Sequence, residues 1–140
     1  MKNIKKVMAM FFCLAMMIFS VTTVSAATKW TYSHSVGIGG SKSYSNLSAS
    51  NNYANIDMTI DGVSYGTRTT TVYKTYLGSG SSMTLKTTKS YSISKNTCIF
   101  KGLGYVGKGT WTITNNAFSS NANYAGWNGT LIIYSSTSSL

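Results

Sequence analysis

The chain has no proline and no glutamate, only two aspartates, one histidine and two cysteines. Each shortage excludes something. With only two carboxylates, Asp57 and Asp61, there is no obvious acid pair for glycoside hydrolysis. Asp61 precedes Gly62 and reads better as a turn residue. One histidine with one or two cysteines cannot build a zinc site, and neither HExxH nor CxxC occurs. The inventory supplies no catalytic set, no metal site and no cofactor site, so no enzyme activity and no cofactor are expected.

The N-terminus carries the longest apolar run. Lys2, Lys5 and Lys6 precede an almost wholly apolar segment from Val7 to Val21, followed by Val24-Ser25-Ala26. A basic region, an apolar stretch and a small-residue site form the secretory layout. The run is shorter than the ~20 residues a spanning helix needs. The sequence therefore predicts a signal peptide over 1–26 and a single secreted domain over 27–140, starting at Ala27 or Thr28. No lipobox surrounds Cys13. Losing the leader leaves Cys98 as the last cysteine, expected as a buried, unpaired thiol within an apolar strand, in a monomeric protein.

Charge is one-sided. Of twelve basic residues, three fall in the leader, leaving nine against two acids, a formal charge of +7. Such an imbalance bears on partners and solubility rather than on fold. For a secreted protein it points to an anionic cell envelope, either wall polymers or lipid; nucleic acid is not expected as a partner.

What the mature part does contain is Ser, Thr, Tyr and short alternating runs. Period-2 stretches rich in Thr, Tyr, Val and Ile, broken by Gly and Asn, predict strands at 29–36, 54–60, 63–76, 82–94, 97–106, 109–115 and 129–135. Hairpin turns are expected at Asp61-Gly62, Gly78-Ser79-Gly80 and Gly107-Lys108-Gly109. In the middle hairpin Met83, Leu85, Tyr91 and Ile93 fall on one face, with Ser, Thr and Lys on the other. Trp111 and Ile113 share a face as well. The fold expected is all-β, a small antiparallel sandwich or barrel.

Two constellations invite a chemical reading. A Cys98–His34 dyad is conceivable, but a thiolate is disfavoured in the apolar TCIF context. The run from Gly102 to Thr110 looks superficially like a phosphate-binding loop. Gly109 separates Lys108 from Thr110, and a strand rather than a helix follows. A glycine-bearing turn explains it.

Aromatic residues are abundant, and most are needed for a core. Tyr124 and Trp127 fall in the Asn-rich segment 115–129, which reads as a long loop. They are the candidate exposed platform for a sugar ring or headgroup. Lys86, Lys89 and Lys95 are the candidate cations for envelope binding.

The segments Trp30-Thr31-Tyr32-Ser33, Val36-Gly37 and Ser43-Tyr44-Ser45-Asn46 resemble the opening of the lactococcin 972-type bacteriocins. The resemblance implies a small, secreted, basic β-sandwich protein that acts on wall synthesis in Gram-positive bacteria. Three functions are therefore expected in order. The first is a cationic bacteriocin-like protein acting at the envelope of competing Gram-positive bacteria. The second is a non-catalytic module binding cell wall or carbohydrate. The third is a β-pore former that inserts the 69–95 hairpin.

Overall fold

The structure is a computed structural model and describes residues 28–64, 69–117 and 124–140. Eight strands run in chain order: β1 Lys29–Ser35, β2 Ser41–Ala49, β3 Tyr53–Val63, β4 Thr70–Leu77, β5 Thr84–Ser92, β6 Thr97–Tyr105, β7 Gly109–Asn116 and β8 Trp127–Ser136. They form two four-stranded antiparallel sheets packed face to face, β1-β8-β3-β6 (sheet A) and β2-β7-β4-β5 (sheet B). The all-β sandwich expected from the alternation of Thr and Val with Tyr and Ile is what the chain builds. No α-helix occurs among the described residues, only a single 3-10 turn at Gly80–Ser82.

Burial follows strand parity. From sheet A, Ile56, Met58, Ile60, Leu131 and Ile133 point inward; from sheet B, Leu47, Tyr73, Trp111 and Ile113 meet them. All nine are at most 1% exposed, and each such side chain contributes roughly 1.5–3 kcal/mol by leaving water. Trp30 lies across the interface from Trp111, with ring centroids 6.3 Å apart. Trp111 and Ile113 share the inward face, as their spacing indicates.

Connections depart further from expectation than the strands do. Six of the seven links cross from one sheet to the other, and only β4–β5 is a sequential hairpin. Its turn contains Gly78 and Gly80, both with positive φ, as the Gly-Ser-Gly signal suggests. Gly107-Lys108-Gly109 instead carries the chain from sheet A to sheet B. Asp61-Gly62 is no turn at all: it lies within β3, at a register shift against β8 between Ile60 and Gly62. β2 was not expected from the sequence as a strand. A bulge between Tyr44 and Leu47, with Asn46 at φ 60°, slips its alternation. A second irregularity between Thr75 and Tyr76 pairs Tyr76 with Leu85. Leu85 is therefore exposed on the outer face, while Tyr91 and Ile93 pack inward.

The two outer faces differ. On sheet A, Asn55, Asp57, Ile132 and Tyr134 point outward yet are buried. The C-terminal tail contributes, since Asn55 donates to the Ser138 carbonyl and accepts from the Leu140 N–H. On sheet B, Ser43, Thr88 and Ser90 are exposed, with Lys74, Tyr76 and Thr114 half-buried among them.

Candidate functional site

Strand order sorts the charges. Sheet B carries Lys42, Lys74, Lys86 and Lys89 and no acid, whereas sheet A carries Lys29 and Lys101 with Asp57 and Asp61. Counting strand residues only, four lysines give sheet B a formal +4, and two lysines against two aspartates leave sheet A neutral. The outer face of sheet B is the open one. Lys74 lies on that outer face, whereas Lys42 reaches the Ser33 carbonyl of β1 and Lys89 turns to the seam beside Gly104. No carboxylate on the strands of this sheet offsets their charge, and a positive field of this kind draws polyanions from solution.

Lys86 and Lys89 lie exposed on β5, an edge strand of sheet B, and Lys95 is exposed in the connection from β5 to β6. The structure thus brings all three to one margin of the sandwich. Lys89 reaches across the seam between the sheets, its Cε 3.9 Å from where a side chain at Gly104 of β6 would begin. Lysines on an edge also discourage unwanted strand pairing, so position alone does not assign these three a ligand.

The aromatic pair behaves otherwise. Segment 115–129 is not one long loop: Asn115 and Asn116 end β7, and Trp127 opens β8. Trp127 is 1% exposed. Its indole N–H donates to the Tyr73 hydroxyl at 3.1 Å, and its ring stacks on His34 at 4.1 Å between centroids. It is a core residue and offers no surface platform, because both its apolar area and its one donor are satisfied inside. Tyr124 is half-buried and forms an isolated bridge with Thr70. The two aromatics are therefore not a shared exposed surface. Residues 118–123 lie outside the described residues.

His34 sits at the centre of a buried polar chain that ties the sheets together. Projecting inward from β1, it accepts the Tyr44 hydroxyl proton at Nδ1 (2.6 Å) and donates from Nε2 to Asn115 Oδ1 (3.0 Å). Asn115 Nδ2 in turn donates to Thr71 Oγ1 (2.6 Å) and to the Val72 carbonyl (3.1 Å). Because the Asn115 amide spends both its protons on sheet B, its oxygen faces the imidazole and fixes the Nε2–H tautomer. A parallel link runs from Trp127 through the Tyr73 hydroxyl to Met58 Sδ at 3.3 Å. Burial, with a smaller push from Lys42, lowers the His34 pKa to about 4. The imidazole is neutral, fully bonded and sealed from solvent, which suits a structural tie rather than proton transfer.

The Cys98–His34 pairing does not form. β1 and β6 are the opposite edges of sheet A, three strand spacings or about 14 Å apart. Moreover, His34 faces the core, while Cys98, in register with Thr59, faces the other way. Cys98 is not a free thiol, which replaces the expectation of an unpaired one; the other cysteine of the chain, Cys13, lies outside the described residues. Among the described residues no three metal-ligating side chains come together.

Asp57 is the other buried ionisable group. Its Oδ1 and the Tyr134 hydroxyl are both buried, and the two side chains interact with each other. Burial pushes the carboxyl up to about 6, against smaller pulls downward from Tyr134 and Lys29.

What sequence reasoning missed is the row across the outer face of sheet B. Ser43, Thr114, Lys74 and Thr88 are successive cross-strand partners on β2, β7, β4 and β5. Ser43 and Thr114 hydroxyls are hydrogen-bonded at 2.8 Å. Alternation around Tyr73 and Ile113 marks Lys74 and Thr114 as outward-facing, but only strand order places them side by side. No protein-family model matches the chain, and no curated protein is significantly similar to it.

Proposed function

We propose that this chain is a secreted, cationic, non-catalytic protein of the bacteriocin type that acts at the envelope of competing Gram-positive bacteria. The observation that carries the reading is the segregation of charge, with four lysines and no acid on the sheet whose outer face is open. The leader-like N-terminus and the resemblance of residues 30–46 to the lactococcin 972-type proteins support it. Lys86, Lys89 and Lys95 supply long-range attraction, because exposed lysines act collectively rather than through single strong pairs.

A wall- or carbohydrate-binding module is the second reading, and the hydroxyl row on sheet B favours it. The pore-forming alternative fits less well. It would require the β4–β5 hairpin to leave β7 and would pull the fully buried Tyr73 out of the core.

The test is a pull-down of the mature protein on Gram-positive cells across a salt series, paired with a growth-inhibition assay. Binding is expected to weaken steeply as the screening length falls from about 8 Å at physiological salt to about 3 Å at 1 M. Replacing Lys86, Lys89 and Lys95 together is expected to weaken it more than any single replacement. Binding without inhibition favours the module. Absence of binding at every salt concentration overturns both readings.

A further inference from the structure

Lys74 has no edge to guard. It lies on β4, an interior strand of sheet B, at the middle of the open outer face. The usual reason for an exposed strand lysine, protection of an unpaired edge, therefore applies to Lys86 and Lys89 but not to Lys74. An interior position facing outward is normally filled by Thr, Val or an aromatic residue with high strand propensity.

Its surroundings are specific. Thr114 of β7 and Thr88 of β5 flank Lys74 in register, and Ser43 of β2 extends the line. With strands about 4.8 Å apart, the row spans about 14 Å perpendicular to the strand direction. In the next row Tyr76 stands half-buried beside Thr112. The face thus presents an ammonium at its centre, hydroxyls on both sides and an aromatic ring adjacent. No carboxylate lies on any strand of this sheet.

Each group selects the same chemistry. An ammonium whose stem lies along the sheet is a point charge for a phosphate oxygen. Hydroxyls both donate and accept, and so match the alcohols of a polyol or sugar. An aromatic face accepts the C–H side of a sugar ring. Leu85 is exposed beside Tyr76 in the next row, but the row through Lys74 itself carries only hydroxyls and an ammonium, which favours a polar polymer over a bilayer as its occupant.

We propose that the outer face of sheet B is a binding surface for a phosphate-bearing polyol or sugar polymer. The polymer lies across the strands along Ser43, Thr114, Lys74 and Thr88, with a phosphate on Lys74 and a ring or alkyl stretch against Tyr76. This rests on the envelope-binding function above and assigns it a ligand class and a site. The edge lysines gather the polyanion, and the row reads it.

The experiment measures binding of the mature protein to three probes: purified Gram-positive walls, the same walls stripped of their phosphate polymer, and anionic phospholipid vesicles. Variants are Lys74→Gln, Lys74→Arg, Tyr76→Ala and the sheet A control Lys101→Gln, each checked for native fold by circular dichroism. Loss of one charge-assisted contact is expected to weaken wall binding about tenfold in Lys74→Gln. Lys101→Gln should change it less than about twofold, as one exposed charge among many. Lys74→Arg should retain binding, and stripped walls and vesicles should bind weakly. If the protein binds walls but Lys74→Gln behaves like Lys101→Gln, the site assignment falls while envelope binding stands. Equal binding to vesicles and walls, or to stripped and intact walls, overturns the ligand class. Absence of binding to all three probes overturns the envelope-binding function itself.

Discussion

Two buried groups with opposite titration shifts give a prediction that neither gives alone. His34 has its pKa lowered from 6.5 to about 4 by burial, with a smaller contribution from Lys42. Between those values the unfolded chain binds a proton that the folded chain refuses, so stability falls as pH drops from about 6.5 toward about 4. The difference corresponds to about 3 kcal/mol. Asp57 is raised from 3.8 to about 6 by burial. There the folded chain holds the extra proton, so stability is greatest below the unfolded value and is lost as pH rises toward about 6. That also amounts to about 3 kcal/mol, with the opposite slope. The natural protein should therefore have a nearly level stability profile between about pH 4 and about pH 6. Asp57→Asn removes one slope and exposes the other. The variant should be more stable than the parent at neutral pH, because no charge is then buried, and should lose about 3 kcal/mol on acidification to about pH 4. Urea unfolding followed by tryptophan fluorescence at several pH values measures both. A level acid profile in Asp57→Asn would refute the assignment of His34 as a neutral, sealed imidazole.

Two further predictions concern the core. Trp127→Ala should destabilise the protein by roughly 3–5 kcal/mol in denaturant titrations, through a cavity between the sheets and the loss of the Tyr73 partner; binding lost at the same time would track the unfolded fraction. Gly126→Ala should prevent folding, seen as loss of near-ultraviolet dichroism, since a Cβ there would collide with the Val36 carbonyl.

Composition and periodicity made the sandwich legible, because a chain without helical stripes but with alternating Thr, Val and Tyr has few other ways to bury its apolar side. Legibility ended where the chain leaves strict alternation. In β2 the inward set Tyr44, Leu47 and Ala49 steps by three and then two, because Asn46 takes a left-handed conformation within a bulge. A period-2 reading passes over it. Asp61-Gly62 carries the local signature of a tight turn, but pairing with β8 continues past it, and tertiary contact wins over local preference. Trp127 was concealed by its Asn-rich approach, although it begins a buried strand. The candidate site was the least legible part. Lys74 is unremarkable in TTVYKTYL, and its meaning depends on which strands lie beside β4. The same holds for the charge segregation, since Asp57 and Lys74 are close in sequence but belong to different sheets.

The pairing of β1 with β8, from Lys29 opposite Tyr134 to Ser35 opposite Asn128, has a temporal consequence. Any process that delivers the chain N-terminus first, whether synthesis or passage through a narrow channel, presents β1 long before its only sheet partner exists. β3 waits likewise for β8, its neighbour on one side. Sheet A cannot close until the last residues emerge, and six sheet-to-sheet crossings give the fold few local contacts with which to start early. A nascent or translocating chain is thus held open by its own topology and becomes compact only once it is released whole.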